Sequence, residues 1–186
     1  MSSKRNNSFI KRTYLVLFAV SAVMFLRFVI IPEYICQREY SEYVTLYSNK
    51  YGLEENLVYS IIKSESNFNQ NAVSGKGAIG LMQIMESTGR WAASEIGIKD
   101  FEPSMLLNPE TNIEIGCWYL KWLMKNFDNM ETVIAAYNAG NGNVSRWLSD
   151  SEYSDDGVKI SLIPYSETKT YVKKVRLFYN LYKMIY

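Results

Sequence analysis

The chain has 186 residues, 48% hydrophobic and 21% charged, which suits one folded domain with an appendage and argues against wholesale disorder. A formal net charge of +1 gives no global pull toward nucleic acid, and none is expected as a partner. Histidine is absent and cysteine is limited to Cys36 and Cys117. This removes imidazole-based nucleophile pairs, imidazole metal sites and a disulfide framework, so the chemistry has to run on carboxylates, hydroxyls, amides or lysines.

Residues 1–12 carry Lys4, Arg5, Lys11 and Arg12 with no acid, a local charge of +4. Residues 14–31 follow as an 18-residue apolar run whose one charge, Arg27, lies near its end, where a long side chain can snorkel. The basic flank predicts a cytoplasmic tail over 1–12 and a single-pass membrane anchor over 13–31, with everything beyond on the extracytoplasmic side. A cleaved signal peptide is the rival reading, but no A-x-A-like site follows the run, and Cys36 lacks the small residues that precede a lipidated cysteine. A buried core helix is the blander reading, and the basic flank disfavours it. Residues 32–44, with Pro32, Glu33, Arg38, Glu39 and Glu42, predict a polar stalk.

A domain over 45–186 then reads as helical almost throughout. Leu57, Val58, Ile61 and Ile62 recur at helical spacing behind Glu54 and Glu55, which favour a helix N-terminus. Asn108-Pro109-Glu110 marks a helix start, and Ile113, Gly116, Cys117, Leu120 and Leu123 continue from it. Val133, Ile134 and Tyr137 mark another helix, ended by residues 138–143. Residues 149–157 predict a loop, and Tyr171, Val172, Val175, Phe178, Tyr179 and Tyr182 form one long amphipathic pattern. No run alternates with period two long enough for a sheet, so the expected fold class is all-α.

Glu65 falls at i+7 of the stripe that begins at Val58, and a carboxylate ending an apolar stripe is partly desolvated, which raises its pKa toward neutrality. Such a group can act as a general acid; the bland alternative is a glutamate at a frayed helix end. Gly75-Lys76-Gly77-Ala78-Ile79-Gly80 matches GxGxxG literally, but no strand precedes it, so it predicts a loop rather than a nucleotide site. Gln83 is an amide among large apolar residues that needs partners, and a sugar could supply them. Tyr137 and Asn138 stand where a helix breaks, beside alanines that permit close packing. The 15 tyrosines and 4 tryptophans suit a carbohydrate groove and an ordinary core equally well.

Taken together, the segments over residues 47–186 resemble the soluble lytic transglycosylase family, whose catalytic domain is similar to goose-type lysozyme. The resemblance rests on five blocks in order: Ile61-Ile62-Lys63-Ser64-Glu65-Ser66-Asn67-Phe68; Ser74 through Gly80-Leu81-Met82-Gln83-Ile84-Met85; Asn108-Pro109 with Asn112, Ile113 and Gly116; Ala136-Tyr137-Asn138-Ala139-Gly140; and Ile163-Pro164-Tyr165-Ser166-Glu167-Thr168 with Tyr171-Val172. Glu86 and Asn141 stand where the family often has proline. The resemblance implies cleavage of the β-1,4 bond between N-acetylmuramic acid and N-acetylglucosamine in peptidoglycan, without water as nucleophile, to give 1,6-anhydromuramoyl ends.

In that implied reaction Glu65 is acid and then base, with Tyr137 beside it and hydrogen-bonded to the acid or the intermediate. Ser74, Gln83 and Met85 line the muramoyl subsite, Glu167 and Tyr171 shape the groove, and Asn138 holds the helix turn. No cofactor or metal is implied, and the partners are glycan strands and the membrane. The alternatives are a hydrolysing lysozyme using Asp100, Glu102 or Glu114 as a second acid, an inactive glycan-binding module, or a wall-opening subunit of a cell-wall-associated protein complex.

Overall fold

In the computed structural model, residues 2–186 are described, with the side chains of 11–28, 30 and 34–186. The chain divides into two units, residues up to 37 together with 185–186, and residues 38–184.

In the first unit, α1 (Ser2–Phe25) passes directly into a π-helix, Leu26–Ile35. Every side chain from 11 to 28 is exposed, including Leu15, Leu17, Phe18 and Phe25. The predicted spanning helix is not found as such: among the described residues no helix is long and apolar enough to cross a membrane. The apolar run is shared between α1, whose first half is polar, and the π-helical segment, so neither holds all of it.

The second unit contains α2 (Ser41–Tyr51), α3 (Glu55–Glu65), β1 (Ala78–Ile79), β2 (Ile84–Met85) and α4 (Glu86–Ile96). A 3-10 turn (Pro103–Leu107), α5 (Pro109–Asn126), α6 (Met130–Ala139), α7 (Asn141–Leu148) and α8 (Ser166–Ile185) complete it. α2 begins inside the stretch predicted as stalk. α5 starts as the sequence predicts, with the Asn108 side chain accepting from the Thr111 amide and Pro109 supplying a preset φ. It packs against α2, α4 and α6 and forms the centre of the domain.

α3 is covered more fully than its stripe implies. From Leu57 through Ser64 every side chain is buried, as in a helix enclosed on all sides. The Ser60 hydroxyl satisfies itself on the Leu57 carbonyl at 2.7 Å. α3 emerges from the core at its ends, at Glu55 and Asn56 and again at its last residue, Glu65.

The all-α expectation needs one correction. β1 and β2 form a two-stranded antiparallel hairpin, with Ala78 opposite Met85 and Ile79 opposite Ile84. Two-residue strands are too short to show alternation, and most of what holds this hairpin comes from elsewhere. Asn112, fully buried on α5, accepts from the Met82 amide at 2.7 Å and donates to the carbonyls of Ile79 (2.9 Å) and Leu106 (2.8 Å). Gly80 stands at φ +78, and a Cβ there would lie 2.3 Å from the Asn112 amide nitrogen, so both backbone and space require glycine. Gly116 likewise leaves room for the Met82 sulfur, 2.3 Å from where a Cβ would be.

α7 is the second element the sequence conceals. Gly140, at φ 86 and ψ 143, ends α6 with its amide on the Ala136 carbonyl, and α7 begins at the next residue. Residues 138–143 thus end one helix, as the sequence predicts, and also begin another, with Gly140 between them.

Candidate active site

Glu65 closes α3 beside a left-handed pair, Asn67 (φ 51) and Phe68 (φ 65), which turns the chain out of the helix. The Ser66 hydroxyl then donates to the Leu81 carbonyl at 2.8 Å, tying this helix end to the hairpin turn. A cavity of about 390 Å³ opens here, lined by Glu65, Ser74, Lys76, Gln83, Met85, Tyr137, Asn138 and Glu167 among others. Seven of the eight residues singled out in the sequence therefore meet at one cavity. The eighth, Tyr171, is buried on α8 and does not line it. A neighbouring cavity of about 290 Å³ shares Lys76, Gln83, Met85, Tyr137 and Asn138 and extends to Thr88 and Tyr119, so the two form a continuous cleft.

Burial pushes the Glu65 carboxyl up from its ordinary 4.5 to about 7. Its place at a helix C-terminus, where partial negative charge collects, acts in the same direction. Tyr171 and Lys174 oppose the rise, and the negative charge of Glu167 adds to it. Tyr171 acts on Glu65 as a donor, yet its buried hydroxyl meets no acceptor at full hydrogen-bond geometry. Lys174 donates to the Ser64 carbonyl at 2.7 Å, one residue before Glu65, and so anchors the helix end as well as supplying charge.

The phenol of Tyr137 departs from expectation. It donates to the Met82 carbonyl at 2.9 Å rather than to the acid, because that buried carbonyl needs a donor and lies within reach. Burial pushes the Tyr137 pKa well up, and the negative charge of Glu65 adds to the rise. Gln83, at φ 48, spends both amide hydrogens on the backbone carbonyls of Ala72 (3.0 Å) and Gly80 (2.9 Å). Its donors thus need no sugar, and its carbonyl oxygen is what remains to accept from one.

The Ser74 hydroxyl accepts from the Ala78 amide at 2.9 Å, which leaves its proton to donate. Met85, 43% exposed, offers an apolar wall. Asn138 accepts from the Thr168 hydroxyl at 2.8 Å, joining the end of α6 to α8. Glu167 pairs with Lys76 at 2.9 Å. Asp100, Glu102 and Glu114 line neither part of the cleft, and Glu114 is paired with Lys50 at 2.6 Å. Among the described residues no group of side chains could hold a metal ion.

Three residues of the site escape the sequence reading. Lys76 sits in a glycine-rich loop and nothing in its spacing marks it. Lys174 could have been found, since Glu167, Tyr171 and Lys174 stand at i, i+4 and i+7 on α8 and therefore share a face. Asn112 shows as part of a motif, but its three hydrogen bonds are visible only in three dimensions.

The family model of the transglycosylase SLT domain matches residues 42–159. Soluble lytic murein transglycosylase of Salmonella typhimurium is 40% identical over 146 residues, covering 77% of this chain and 22% of the relative. Membrane-bound lytic murein transglycosylase C of Serratia proteamaculans is 34% identical over 157 residues, covering 78% of this chain and 44% of the relative. The chain thus spans less than half the length of these relatives. Among solved structures, the 70-kDa soluble lytic transglycosylase of Escherichia coli superposes with a TM-score of 0.71 at 32% identity, over 80% of this chain and 25% of that one. An inactive glutamate-to-glutamine mutant of the Pseudomonas aeruginosa lytic transglycosylase Slt gives 0.70 at 30% identity, over 80% and 24%.

Proposed function

The chain belongs to the transglycosylase SLT domain family, and from that premise we propose that it is a peptidoglycan lytic transglycosylase. It cleaves the β-1,4 bond between N-acetylmuramic acid and N-acetylglucosamine and leaves 1,6-anhydromuramoyl ends. The observation that carries this reading is Glu65, a carboxyl lining a cleft and raised to about 7, which is suited both to give and to take a proton near neutrality. A structural neighbour inactivated by exchanging a glutamate for glutamine supports the same kind of residue in the central role.

In the first step the protonated Glu65 gives its proton to the glycosidic oxygen as the C1–O bond breaks, and the N-acetylglucosamine side leaves. Positive charge develops at C1 of the muramoyl ring, and the ring's own acetamido group or the enclosing pocket stabilises it. In the second step the Glu65 carboxylate takes the proton of the C6 hydroxyl while that oxygen bonds to C1. The acid is thereby restored, and neither water nor cofactor is consumed.

In this account Ser74 donates to the sugar, the Gln83 carbonyl accepts from it, and Met85 packs against its apolar face. Tyr137 acts through Met82 by fixing the hairpin turn. Tyr171 tempers the acid, Asn138 fixes the end of α6, and Glu167 holds Lys76 at the rim.

Hydrolysis by a lysozyme-type mechanism is the second reading, since Glu167 is another carboxylate in the same cavity. A base for water has to be free to accept a proton, and the ion pair with Lys76 opposes that role. Mass spectrometry of digested peptidoglycan decides between the two. Anhydro-muropeptides are expected, whereas reducing ends would establish hydrolysis.

We also propose that residues 13–31 anchor the chain in the cell membrane, with the domain on the extracytoplasmic side. The exposed apolar side chains of α1, its unbroken passage into the π-helix and the basic tail support this. The membrane-bound relative is consistent with it. Protease added to intact, wall-stripped cells should digest the domain; protection would contradict the topology.

A further inference from the structure

Beyond Tyr119, which lines the smaller cavity, the aromatic residues form a connected cluster. Trp91 on α4 meets Trp118 and Trp122 of α5 with centroids 4.8 and 4.9 Å apart and planes near right angles, 82° and 86°. Trp91 also meets Tyr119 at 6.3 Å and 77°, and the Tyr119 and Trp122 planes lie within 9° of parallel. Tyr119 is itself 5.5 Å from Tyr137 and lines the 290 Å³ cavity, so this row of rings begins inside the cleft.

Packing between α4 and α5 explains why the rings meet, but not why they stay accessible. Trp91 is 37% exposed and both Trp118 and Trp122 are only half-buried. Edge-to-face contact fixes the orientation of each indole without covering both of its faces. Large, rigid, part-exposed rings continuous with a cleft are the composition of a binding surface. Pyranose rings of a β-1,4 strand present apolar C–H faces that match an aromatic plane, and the Thr88 hydroxyl in the adjoining wall can meet a sugar hydroxyl.

We propose that Trp91, Trp118 and Trp122 form an accessory saccharide platform that stacks N-acetylated sugar units of the strand beyond those held at Glu65. The proposal rests on the glycan-cleaving reading above, which it deepens by giving the site a preference for long strands. Stacking at the platform adds binding to ground state and transition state alike, so its loss raises KM and spares kcat.

The test uses the full chain and two substrates, long uncrosslinked glycan strands and a tetrasaccharide whose units are those held at Glu65. Trp91→Ala and Trp122→Ala together should raise KM for long strands about tenfold, on the scale of aromatic stacking losses. Cleavage of the tetrasaccharide should stay at the wild-type rate, and Trp91→Phe should restore most of the affinity. The unaltered tetrasaccharide rate also establishes that the variant is folded. An unchanged KM for long strands would overturn the platform while leaving the proposed activity intact. Absence of cleavage by the wild-type protein would instead remove that activity, and the platform would then stand or fall on whether N-acetylglucosamine oligomers quench tryptophan fluorescence saturably. Quenching that tracks protein concentration and not oligomer concentration would assign the rings to self-association and contradict the proposal.

Discussion

The cleft has two unlike walls. On the α8 side stand ionisable groups, Glu167 lining the cavity and Tyr171 and Lys174 on the same helix, each of which acts on the Glu65 carboxyl. On the hairpin side the ties run to backbone: Tyr137 to the Met82 carbonyl, Gln83 to Ala72 and Gly80, Asn112 to Ile79, Leu106 and Met82. In the proposed reaction one wall adjusts, beneath the larger effect of burial, when Glu65 holds its proton, and the other positions the glycan. Changes on the first should move pH dependence, and changes on the second should move stability and turnover at a fixed pH dependence.

The largest effect belongs to Glu65 itself, where the walls meet. Glu65→Gln keeps size and shape but cannot exchange a proton, so release of anhydro-muropeptides should fall by about 10²- to 10⁴-fold. Sedimentation with insoluble peptidoglycan should persist. The same variant should be more stable than the wild type. A carboxyl whose folded-state pKa exceeds its unfolded value binds extra protons when folded, so stability falls as pH rises from 4.5 to about 7 and stays lowered above that. Thermal melts should therefore show Glu65→Gln stabilised by up to about 3 kcal/mol at pH 8 and barely changed at pH 4. A variant that is destabilised at both would place Glu65 in a structural role.

Next comes the hairpin wall. Tyr137→Phe strands the Met82 carbonyl in a buried setting, at a cost of about 1–3 kcal/mol in denaturant titrations. Turnover should fall because Met82 precedes a cavity residue, while the pH profile keeps its midpoint. A shifted midpoint would mean that Tyr137 acts on the acid directly, and the contrast between the walls would fail.

The smallest effects carry opposite signs on the α8 wall. Lys174→Met and Tyr171→Phe each remove an influence that lowers the Glu65 pKa, so the alkaline limb of the rate profile should move up. Glu167→Gln removes a negative neighbour, and the limb should move down. Equal shifts of one sign in all three would point to a general loosening of α8.

How much of this was legible in the sequence differs between the walls in the same way. α8 and α3 are periodic helices, so Glu65 and Tyr171 could be placed on them from spacing, while Glu167 entered through the family resemblance. The hairpin wall depends on two-residue strands, on left-handed Gln83 and on one buried asparagine 30 residues away. None of these leaves a periodic trace. α7 was hidden for a related reason, because Gly140 resembles a helix terminator and serves here as terminator and start at once. The aromatic cluster was equally ambiguous, since a count of tryptophans cannot show that three of them share one surface.

Burial that holds the Glu65 carboxyl near neutrality is central to the proposed chemistry, and the pH dependence of kcat/KM on soluble glycan strands tests it directly. The profile should fall on the alkaline side with a midpoint at about 7, the protonation of Glu65 in the free enzyme. An alkaline limb near 4.5, the ordinary value for a glutamate, would contradict it.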